Sequence, residues 1–490
     1  MKCAILDCYT DEAAGLGVPP YLGTYPRYIA GKLAEEPYYL TIDDLRLALK
    51  RGGKILDPKP SQKSDIGTYN LTSNYLNVDK ILHSVETLYV IIGVHVPGKY
   101  LSATPGTLSE ILPLLKHYPC KKILTGPVVY GTQLHGGKFR EQADLSIFSS
   151  TDYSLLHLPY STIKEVSLRG AAIIKQIPDL RMIEIETGQG CDIGKCSFCT
   201  EPLKNKISFR QKEDILSEIK EFYRLGARYF RLGKQTCFYT LPDAVPLLKS
   251  IRNACPDIKV LHIDNCNPVK VIRDKDHAIT KAIVKYCSSG NVAAFGVESF
   301  DLSVVRENTL NTLPKVAYEA IKIINSYGGE QGDDGMPKFL PGINIIFGLL
   351  GESKKTHAEN MLWLKKIYDD GLTLRRINIR QAAIFEGTML FQKGGDKFLK
   401  KNKRYYWKWR EDIRQNIDLP MLQRVVPKGS ILHNCYAEIY DGNTTFLRQF
   451  GTYPLVIGVK KRVQLKRFFS VKVTGHMLRS ITAEIVETND

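Results

Sequence analysis

A regular alternation of short apolar runs and amphipathic segments from about residue 179 to 387 constrains the fold of this chain most strongly. Each run is followed by apolar positions at helical spacing, which indicates a strand and then a helix. Six such steps are too many for a small sandwich and too few for an eightfold barrel. The alternation predicts a partial (βα)6 barrel with strands at 183–187, 228–232, 259–263, 292–297, 343–347 and 376–381. Residues 328–342 are glycine-rich and are predicted as a long loop.

Residues 1–170 alternate in a similar way, with apolar runs at 3–6, 88–94, 122–124 and 145–148 and a helical segment at 108–116. This pattern favours an α/β domain with a parallel, doubly wound, Rossmann-like sheet. Several runs end in glycine or proline, as at Gly93 and Gly126. Ligands bind such sheets at the carboxyl ends of the strands.

The last hundred residues, 391–490, contain 19 Lys and Arg against 9 Asp and Glu, and their net charge of +10 is more than half of the +17 of the whole chain. Such a surplus favours an anionic partner, with nucleic acid as the first candidate. Short alternating runs at 436–439, 455–459, 463–465 and 469–473 predict a small β-barrel. We therefore predict four parts: 1–170, the barrel at 179–390, a basic extension at 391–427, and a β-barrel at 428–490.

Within the basic extension, residues 397–410 place seven basic side chains among five aromatic ones. Lysine and arginine neutralise phosphates, and exposed aromatic rings stack on unpaired bases. The alternative is an amphipathic helix whose Trp407 and Trp409 fill a junction between domains.

The longest apolar runs, at 88–96 and 343–350, are far shorter than the roughly 20 residues that span a bilayer. The first twelve residues lack the apolar stretch of a secretory signal. We therefore expect a cytoplasmic protein without a membrane partner.

Three of the eleven cysteines, Cys191, Cys196 and Cys199, lie within nine residues, directly after a predicted strand. A structural zinc site needs four protein ligands, and no fourth Cys or His lies nearby. Three thiolates on a [4Fe-4S] cluster leave one iron open for a small molecule. A zinc site completed from a distant segment, and cysteines that bind no metal, are the alternatives.

The stretch GQGCDIGKCSFCTEP resembles the cluster loop of the radical S-adenosylmethionine (SAM) superfamily, where cysteines follow the spacing CxxxCxxC with an aromatic residue before the last. Phe198 fills the aromatic position, and one extra residue separates Cys191 from Cys196. The resemblance implies a [4Fe-4S] cluster whose free iron is chelated by the amino and carboxylate groups of SAM. Electron transfer then cleaves SAM to a 5′-deoxyadenosyl radical.

Further motifs resemble the same superfamily. Gly233, Lys234 and Gln235 stand where it often has two glycines and a glutamate that bind the methionine amino group, and Gly233 alone matches. GVESFD (296–301) resembles its fourth-strand motif, IIFGLLGES (345–353) the fifth-strand motif beside the adenine, and FEGT (385–388) the sixth-strand exit of the methylthiotransferase-like branch. The resemblance thus implies cofactor-binding roles for Phe198, Gly233, Lys234, Gln235, Glu298, Ser299 and Gly348, with no catalytic residue beyond the cluster ligands.

His262, Asp264 and Asn265 form a polar cluster at the end of the third predicted strand. Barrel enzymes place substrate contacts at this end of their strands. The alternative is a hydrogen-bonded turn ahead of Pro268.

The first domain resembles the cobalamin-binding domain that precedes many radical SAM barrels, and the segment 15–31 is the closest piece. The Asp-x-His-x-x-Gly motif that supplies an axial histidine is absent, so cobalamin would bind without it. Methylthiotransferases instead carry a second cluster on three cysteines of this domain. Cys8 could serve such a cluster, whereas Cys3 and Cys120 are poorly placed.

Residues 428–486 resemble the TRAM domain, a small RNA-binding β-barrel. Together the resemblances imply a radical SAM enzyme that methylates or methylthiolates RNA, with tRNA as the partner and ferredoxin or flavodoxin as the electron donor. One alternative is a radical SAM enzyme for a small molecule or a protein, whose last domain serves assembly. Another is a binding module with a structural cluster.

Overall fold

The structure, a computed structural model, describes residues 2–9, 21–50, 52, 70–93, 105–130, 132–134, 139–141, 147–154 and 158–489. An N-terminal sheet, a central half-open barrel and a closed C-terminal barrel follow one another along the chain. The α/β fold class predicted from the sequence is confirmed.

The N-terminal part contains a five-stranded parallel sheet in the order β3-β1-β4-β5-β8. Counted within the sheet this is the order 2-1-3-4-5 of the flavodoxin-like doubly wound folds. The run predicted at 145–148 lies partly outside the described residues, and the last strand follows it. The elements of this part are β1 (Cys3–Asp7), β2 (Tyr21–Leu22), α1 (Thr24–Lys32), β3 (Tyr38–Thr41), α2 (Ile42–Leu45), α3 (Val78–Ser84), β4 (Thr87–Ile91), α4 (Leu108–Leu115), β5 (Lys121–Thr125), β6 (Thr132–Leu134), β7 (Phe139–Glu141), β8 (Ser150–Thr151) and α5 (Tyr160–Gly170).

The central part has all six predicted strands, each followed by a helical segment. Its strands are β9 (Met182–Glu186), β10 (Gly188–Gln189), β11 (Ser208–Phe209), β12 (Tyr229–Gly233), β13 (Val260–Ile263), β14 (Asn265–Cys266), β15 (Asn291–Glu298), β16 (Phe339–Phe347) and β17 (Arg376–Gln381). Its helices are α6 (Glu201–Lys204), α7 (Lys212–Arg224), α8 (Ala244–Ala254), α9 (Pro268–Ile272), α10 (Ala278–Tyr286), α11 (Leu302–Glu307), α12 (Pro314–Gly328) and α13 (Lys354–Asp369).

These strands form two parallel sheets, β2-β9-β12-β13 and β14-β15-β16-β17, which meet at Asp264 between β13 and β14. The backbone N–H of Ala294 donates to the Asp264 carbonyl at 3.4 Å and joins the two sheets. Strand β2 comes from the first region of the chain and pairs with β9. The N-terminal part and the barrel therefore share one sheet. Strand β16 begins at Phe339, so the predicted loop at 328–342 is shorter than expected.

Helix α1 packs closely against α5 and is joined to helix α7 of the barrel by a buried ion pair. A Cβ atom at Gly31 would lie 1.9 Å from the Val166 carbonyl oxygen, and one at Gly170 would lie 1.8 Å from the Arg27 carbonyl oxygen, so α1 and α5 cross at backbone contact. The fully buried guanidinium of Arg27 pairs with Glu218 of α7. A buried ion pair of this kind is costly to break, because one charge would remain unpaired.

The C-terminal part begins with helices α14 (Met389–Lys393), α15 (Lys397–Ile413) and α16 (Leu419–Val425). A π-helical segment, Arg414–Asp418, joins α15 to α16. Strands β18 (Ile431–Asp441), β19 (Thr444–Gln449), β20 (Val456–Val459), β21 (Phe468–His476) and β22 (Ser480–Asn489) follow and close into a barrel in the order β18-β19-β20-β22-β21.

The predicted small β-barrel is thus confirmed, with different strands in part. Residues 463–465, predicted as a strand, lie in an irregular connection between β20 and β21. Strands β19 and β22 were not predicted. Strand β19 was missed because most of its residues are polar. Strand β22 does carry a strand-like alternation, in which the inward-facing Ile481, Ala483 and Ile485 are separated by polar residues, but it was not recognised.

The C-terminal barrel covers the amino ends of the central strands. The first residues of β9, β12 and β13 are Met182, Tyr229 and Val260. They pack against Tyr436 and Phe450 of the C-terminal barrel. This surface lies at the end of the central barrel opposite to the loop that follows β9. No helix within the described ranges is both long and apolar enough to cross a membrane.

Candidate active site

The three clustered cysteines lie on a loop at the carboxyl end of β9. The short antiparallel pair β10–β11 forms its stem, and we call residues 190–207 the cysteine loop. Gly190 has a φ of +80°, and a Cβ atom there would lie 2.5 Å from the backbone of Ile207, so the stem requires glycine. Glu201 of α6 reaches back, and its Oε1 accepts the Gly190 N–H at 2.9 Å.

All three thiols are free and half-buried. Burial, with the nearby charges of Cys199 and Glu298, raises the pKa of the Cys196 thiol to about 12. Burial also raises the pKa of Cys199, and Cys191 adds to this shift. The three sulfurs therefore lie within electrostatic range of one another, on a loop that presents nothing but thiols as soft ligands.

Their arrangement is not a preformed cage: among the described residues, no group of three or more His, Cys, Asp or Glu side chains is positioned to hold a metal ion. The donor set nonetheless fits an iron–sulfur cluster, whose usual ligands are cysteine thiolates. It fits structural zinc less well, because that site needs a fourth ligand. The loop would have to adjust its thiol rotamers to bind a cluster.

Asn308, at the end of α11, holds the cysteine loop against the barrel. Its side-chain oxygen accepts the Ser197 hydroxyl at 2.6 Å, and its backbone oxygen accepts the Ser197 N–H at 2.9 Å. The same amide exchanges hydrogen bonds with the backbone of Leu350, at 2.9 and 3.1 Å. Sequence reasoning missed this residue, because a single asparagine after a short helix gives no signal.

Glu298 ends β15 at a register shift of the sheet and has a φ of +63°. Its Oε2 atom is shielded from solvent and has no hydrogen-bond partner. Burial raises the pKa of its carboxyl to about 8, against the opposing charge of Arg380. An unpartnered buried acceptor near the thiols is a ready contact for a ligand.

Ser299, the other residue assigned from this motif, is buried, and its hydroxyl and backbone N–H already have hydrogen-bond partners. Its hydroxyl accepts the Asp301 N–H at 3.1 Å, and its own N–H donates to the Val297 carbonyl at 2.7 Å. The structure therefore gives Ser299 a role in the turn after β15.

Gly233 ends β12, and Lys234 and Gln235 follow it, next to the cysteine loop. Lys234 has a φ of +67°, and its Nζ lies 3.9 Å from Glu184 Oε2 and 4.9 Å from the centre of the Tyr25 ring. Gln235 is buried, and its Oε1 accepts the Thr187 hydroxyl at 2.9 Å. Of the three, Lys234 alone is left half-exposed.

Gly348 and Phe198 lie on the opposite side of this mouth. The Gly348 N–H donates to Glu352 Oε2 at 2.7 Å, and a Cβ atom there would lie 2.2 Å from the Leu399 side chain of α15. Phe198 packs with Cys196 against the apolar cluster beneath the loop. The seven residues assigned from sequence thus lie around one end of the barrel, and among them Glu298 has a buried polar atom without a hydrogen-bond partner.

Of the predicted cluster, His262 and Asp264 are buried and do not form an open substrate site, whereas Asn265 is half-buried. The Thr452 N–H of the C-terminal barrel donates to His262 Nδ1 at 3.1 Å, and His262 Nε2 donates to the Ser289 carbonyl at 3.0 Å. Burial lowers the pKa of His262 to about 4. Asp264 pairs with Arg231 at 2.5 Å. The cluster instead connects the interior of the central barrel to the C-terminal one.

The N-terminal cysteines do not converge. Cys3 begins β1 and Cys120 precedes β5, at the amino ends of the strands, whereas Cys8 follows β1 at the carboxyl end. All three are buried. Residues 15–20, part of the segment that resembles a cobalamin-binding domain, lie outside the described residues.

The two tryptophans of helix α15 have different environments. Trp409 is buried, and its ring stacks on His357 and Tyr405 at 5.3 and 5.5 Å. Trp407 is 67% exposed, with the guanidinium of Arg410 5.4 Å from its ring centre. The domain-junction alternative thus describes Trp409 and not Trp407.

No family model matches the chain. An uncharacterized protein of Methanocaldococcus jannaschii is 38% identical over 542 aligned positions, which cover 99% of this chain and 93% of that protein. An uncharacterized protein of Archaeoglobus fulgidus is 36% identical and covers 99% of this chain and 90% of its own length. The chain belongs to their family.

Family members thus extend over nearly the whole chain, including all three parts of the fold. A putative methylthiotransferase of Methanocaldococcus jannaschii is 22% identical over 54% of this chain and 59% of its own length.

Solved radical SAM enzymes are also similar in structure. The radical SAM methyltransferase TsrM from Kitasatospora setae, with cobalamin and a [4Fe-4S] cluster bound, has a TM-score of 0.46 at 11% identity and covers 78% of this chain and 75% of its own. The cobalamin-dependent SAM radical enzyme OxsB, with aqua-cobalamin bound, has a TM-score of 0.43 at 12% identity and covers 84% of this chain and 56% of its own. These enzymes are of the superfamily that the cysteine loop resembles.

Proposed function

We propose that the protein is a radical SAM enzyme that holds a [4Fe-4S] cluster on Cys191, Cys196 and Cys199 and transfers a methyl or methylthio group to RNA, with tRNA as the substrate class. One observation carries the proposal: three free thiols lie at the carboxyl-end mouth of a six-stranded parallel barrel, near the unpartnered Glu298 carboxyl. Active sites of barrel enzymes lie at this end.

Cys191, Cys196 and Cys199 would hold the cluster, which when bound would supply the chemistry of reductive SAM cleavage, with ferredoxin or flavodoxin as the proposed electron donor. The chain's own residues supply the surroundings. Asn308 fixes the cysteine loop, Glu298 offers a hydrogen-bonding group to the bound cofactor, and Lys234 adds a positive charge beside the mouth. The Glu352–Gly348 contact keeps the loop after β16 in place.

The RNA part of the proposal is supported by the distribution of charge. Residues 460–467, which we call the basic loop, carry five Lys or Arg side chains and no acid, and all five are exposed. Helix α15 adds exposed Lys397, Lys400, Lys401, Lys403, Arg404 and Lys408.

Helix α15 also connects the two ends of the central barrel. Its start packs on Gly348 at the mouth, and Asn402 Nδ2 donates to Glu352 Oε1 at 2.9 Å. Beyond its end, the Arg414 guanidinium donates to the carbonyl of Ile377, near the start of β17, at 2.7 Å. A basic helix thus extends from the cysteine loop toward the C-terminal barrel, along a path that an RNA strand can follow.

Cobalamin is a further proposed cofactor. In sheets of this order, ligands bind at the carboxyl ends of the strands, where the order reverses. Here that point is between β1 and β4, near Cys8 and Gly93. The described residues at that edge include no histidine. Bound cobalamin would therefore take no axial histidine from them.

The main test is anaerobic reconstitution with iron and sulfide. Wild-type protein should bind about four irons per chain, and Cys→Ala at any of the three positions should abolish the visible absorption. Cys287→Ala is the matched control, because Cys287 is also free and half-buried but lies after α10, away from the loop. Retention of iron by the triple Cys→Ala variant would refute the cluster assignment.

A second candidate is a radical SAM enzyme for a small molecule or a protein. It is favoured by the apolar packing of Tyr436 and Phe450 on the central barrel, which gives the C-terminal barrel a structural role. Mass spectrometry of RNA from reactions with and without the reconstituted protein separates the two. A new methyl or methylthio group on RNA supports the first candidate.

A further inference from the structure

A cleft lies between the central and C-terminal barrels, at the end opposite to the cysteine loop. It is formed by the start of β17, the π-helical segment with α16, and two loops of the C-terminal barrel, and together with the open solvent at its entrance it spans about 510 Å³. We call it the arginine cleft; its lining includes Arg375, Arg376, Asp418, Tyr453 and Arg479.

The positive charges of this cleft outnumber its negative ones. Asp418 is the single acid of its lining, and Asp418 already pairs with Arg414. Arg376 makes no salt bridge with the described residues, and its guanidinium lies 4.0 Å from the centre of the Tyr453 ring. Arg479 is exposed at the rim, and Asp418 is the acid that acts on its charge. Three guanidinium groups therefore face one cleft with no free carboxylate.

Two of the three guanidinium groups are also held in place before any ligand arrives. Arg375 Nη2 donates to the Tyr453 carbonyl at 2.9 Å, while its buried Nε has no partner. The Tyr453 ring supports Arg376, and its hydroxyl reaches Asp264 Oδ1 at 3.4 Å. Burial and the neighbouring Arg376 charge lower the pKa of Arg375 to about 10. A nearby anion would relieve this repulsion.

We propose that the arginine cleft is a binding site for a phosphate group, held by Arg375, Arg376 and Arg479. Arginine binds phosphate oxygens through paired N–H donors, and such charge-assisted hydrogen bonds are strong. Clefts at domain interfaces are common ligand sites. The source of this phosphate rests on the proposed RNA function. If that function is right, the phosphate belongs to an RNA backbone. The site would then fix RNA about one barrel length from the cysteine loop.

The test compares Arg376→Gln/Arg479→Gln with Arg169→Gln/Lys249→Gln in the full-length protein. The control loses two exposed charges on α5 and α8 and removes no contact. Arg479→Gln alone is included because Arg479 makes no contact that folding could need. The first probe is inorganic phosphate: millimolar phosphate should raise the Tm of wild type and control, and not that of the double variant.

The second probe is a single-stranded RNA oligonucleotide titrated at several KCl concentrations. The double variant should bind about tenfold more weakly, and the slope of log K against log [KCl] should fall by about 0.7. A loss in both arms supports an RNA phosphate, and a loss with inorganic phosphate alone supports a small phosphorylated ligand. Equal behaviour of the double variant and the control in both arms overturns the site. Iron content, measured in parallel, tests the proposed enzyme separately.

Discussion

Asn308 shows how a single buried side chain can position a functional loop. It connects Ser197 of the cysteine loop to Leu350 after β16, and it is fully buried. Asn308→Ala should lower the free energy of unfolding by about 2 to 3 kcal/mol, because the buried Leu350 and Ser197 groups lose their partners. Chemical denaturation measures this change. Asn253→Ala, at an exposed position of α8, is the control and should change stability by less than about 0.5 kcal/mol.

Glu352 provides a pH-dependent test at the same scale. Burial raises the pKa of its carboxyl from 4.5 to about 7, although Gly348 and Asn402 donate hydrogen bonds to it. The folded state therefore holds this proton more tightly than the unfolded state. The contribution of Glu352 to the free energy of unfolding should be fully present below pH 4.5 and should be lost as pH rises through 7.

The expected loss from this group between pH 4.5 and 8 is about 2 to 3 kcal/mol. Glu352→Gln cannot titrate and should lack this component, so the difference between wild type and variant isolates it. Urea unfolding at intervals of half a pH unit gives the two curves. Parallel curves for the two proteins would show that Glu352 titrates normally in the fold.

Sequence could single out the three cysteines because they lie within nine residues of one loop, and their role as cluster ligands stays a prediction. The environment of the His262 ring could not be predicted, because its partner Thr452 lies on the C-terminal barrel, far away along the chain. Asn308 was missed for the same reason.

At the scale of elements, the crossing of α1 and α5 depends on two glycines. Gly170→Ala would place a Cβ atom 1.8 Å from the Arg27 carbonyl oxygen, so the helices must separate. Since that shift also disturbs the buried Arg27–Glu218 pair, we expect a loss of about 3 kcal/mol or more in the free energy of unfolding.

Gly458→Ala is the matched control, because a Cβ atom on β20 would meet its nearest neighbour, a Phe446 ring atom, at an ordinary 3.5 Å. Thermal unfolding of the two variants should show a clear drop in Tm for the first and little change for the second. Equal Tm values would mean that the helix crossing tolerates a methyl group.

Periodicity predicted the central elements well, because each strand–helix step buries its own apolar face. Helix α7, for example, buries Ile215, Ile219 and Phe222 at helical spacing. The C-terminal strands were harder, since a small barrel exposes one face and its strands contain bulges, as between Ala437 and Ile439. Strand β2 has two residues, which are too few to predict from sequence that it pairs with the central barrel.

At the scale of the whole molecule, the C-terminal barrel and the cysteine loop occupy opposite ends of the central barrel. Sequence could not give this arrangement, because it depends on contacts such as Tyr436 with Asp179, which are far apart along the chain. Deleting the C-terminal barrel would expose Met182 and Val260 to solvent and destabilise the protein. A loss of RNA binding could then not be separated from a loss of stability. Charge substitutions on its surface are the sharper test of the RNA proposal.

The basic loop allows such a test. Lys460 and Lys461 are exposed, and neither side chain makes a hydrogen bond or salt bridge with any residue that the structure describes. Lys460→Gln/Lys461→Gln should therefore fold normally, bind iron normally, and bind tRNA about five- to tenfold more weakly at low salt. Two lost phosphate contacts should reduce the slope of log K against log [KCl] by about 1.4 to 1.8.

Filter binding across KCl concentrations measures both quantities, with Arg169→Gln/Lys249→Gln as the control for the loss of two positive charges. Counterion release depends on charges in contact with the RNA, so only the basic-loop variant should change the slope. If both double variants reduce affinity equally, the attraction is a property of net charge and the basic loop is not an RNA contact. If neither binds more weakly than wild type, the RNA path must avoid this loop, and α15 with its exposed Trp407 becomes the surface to test next.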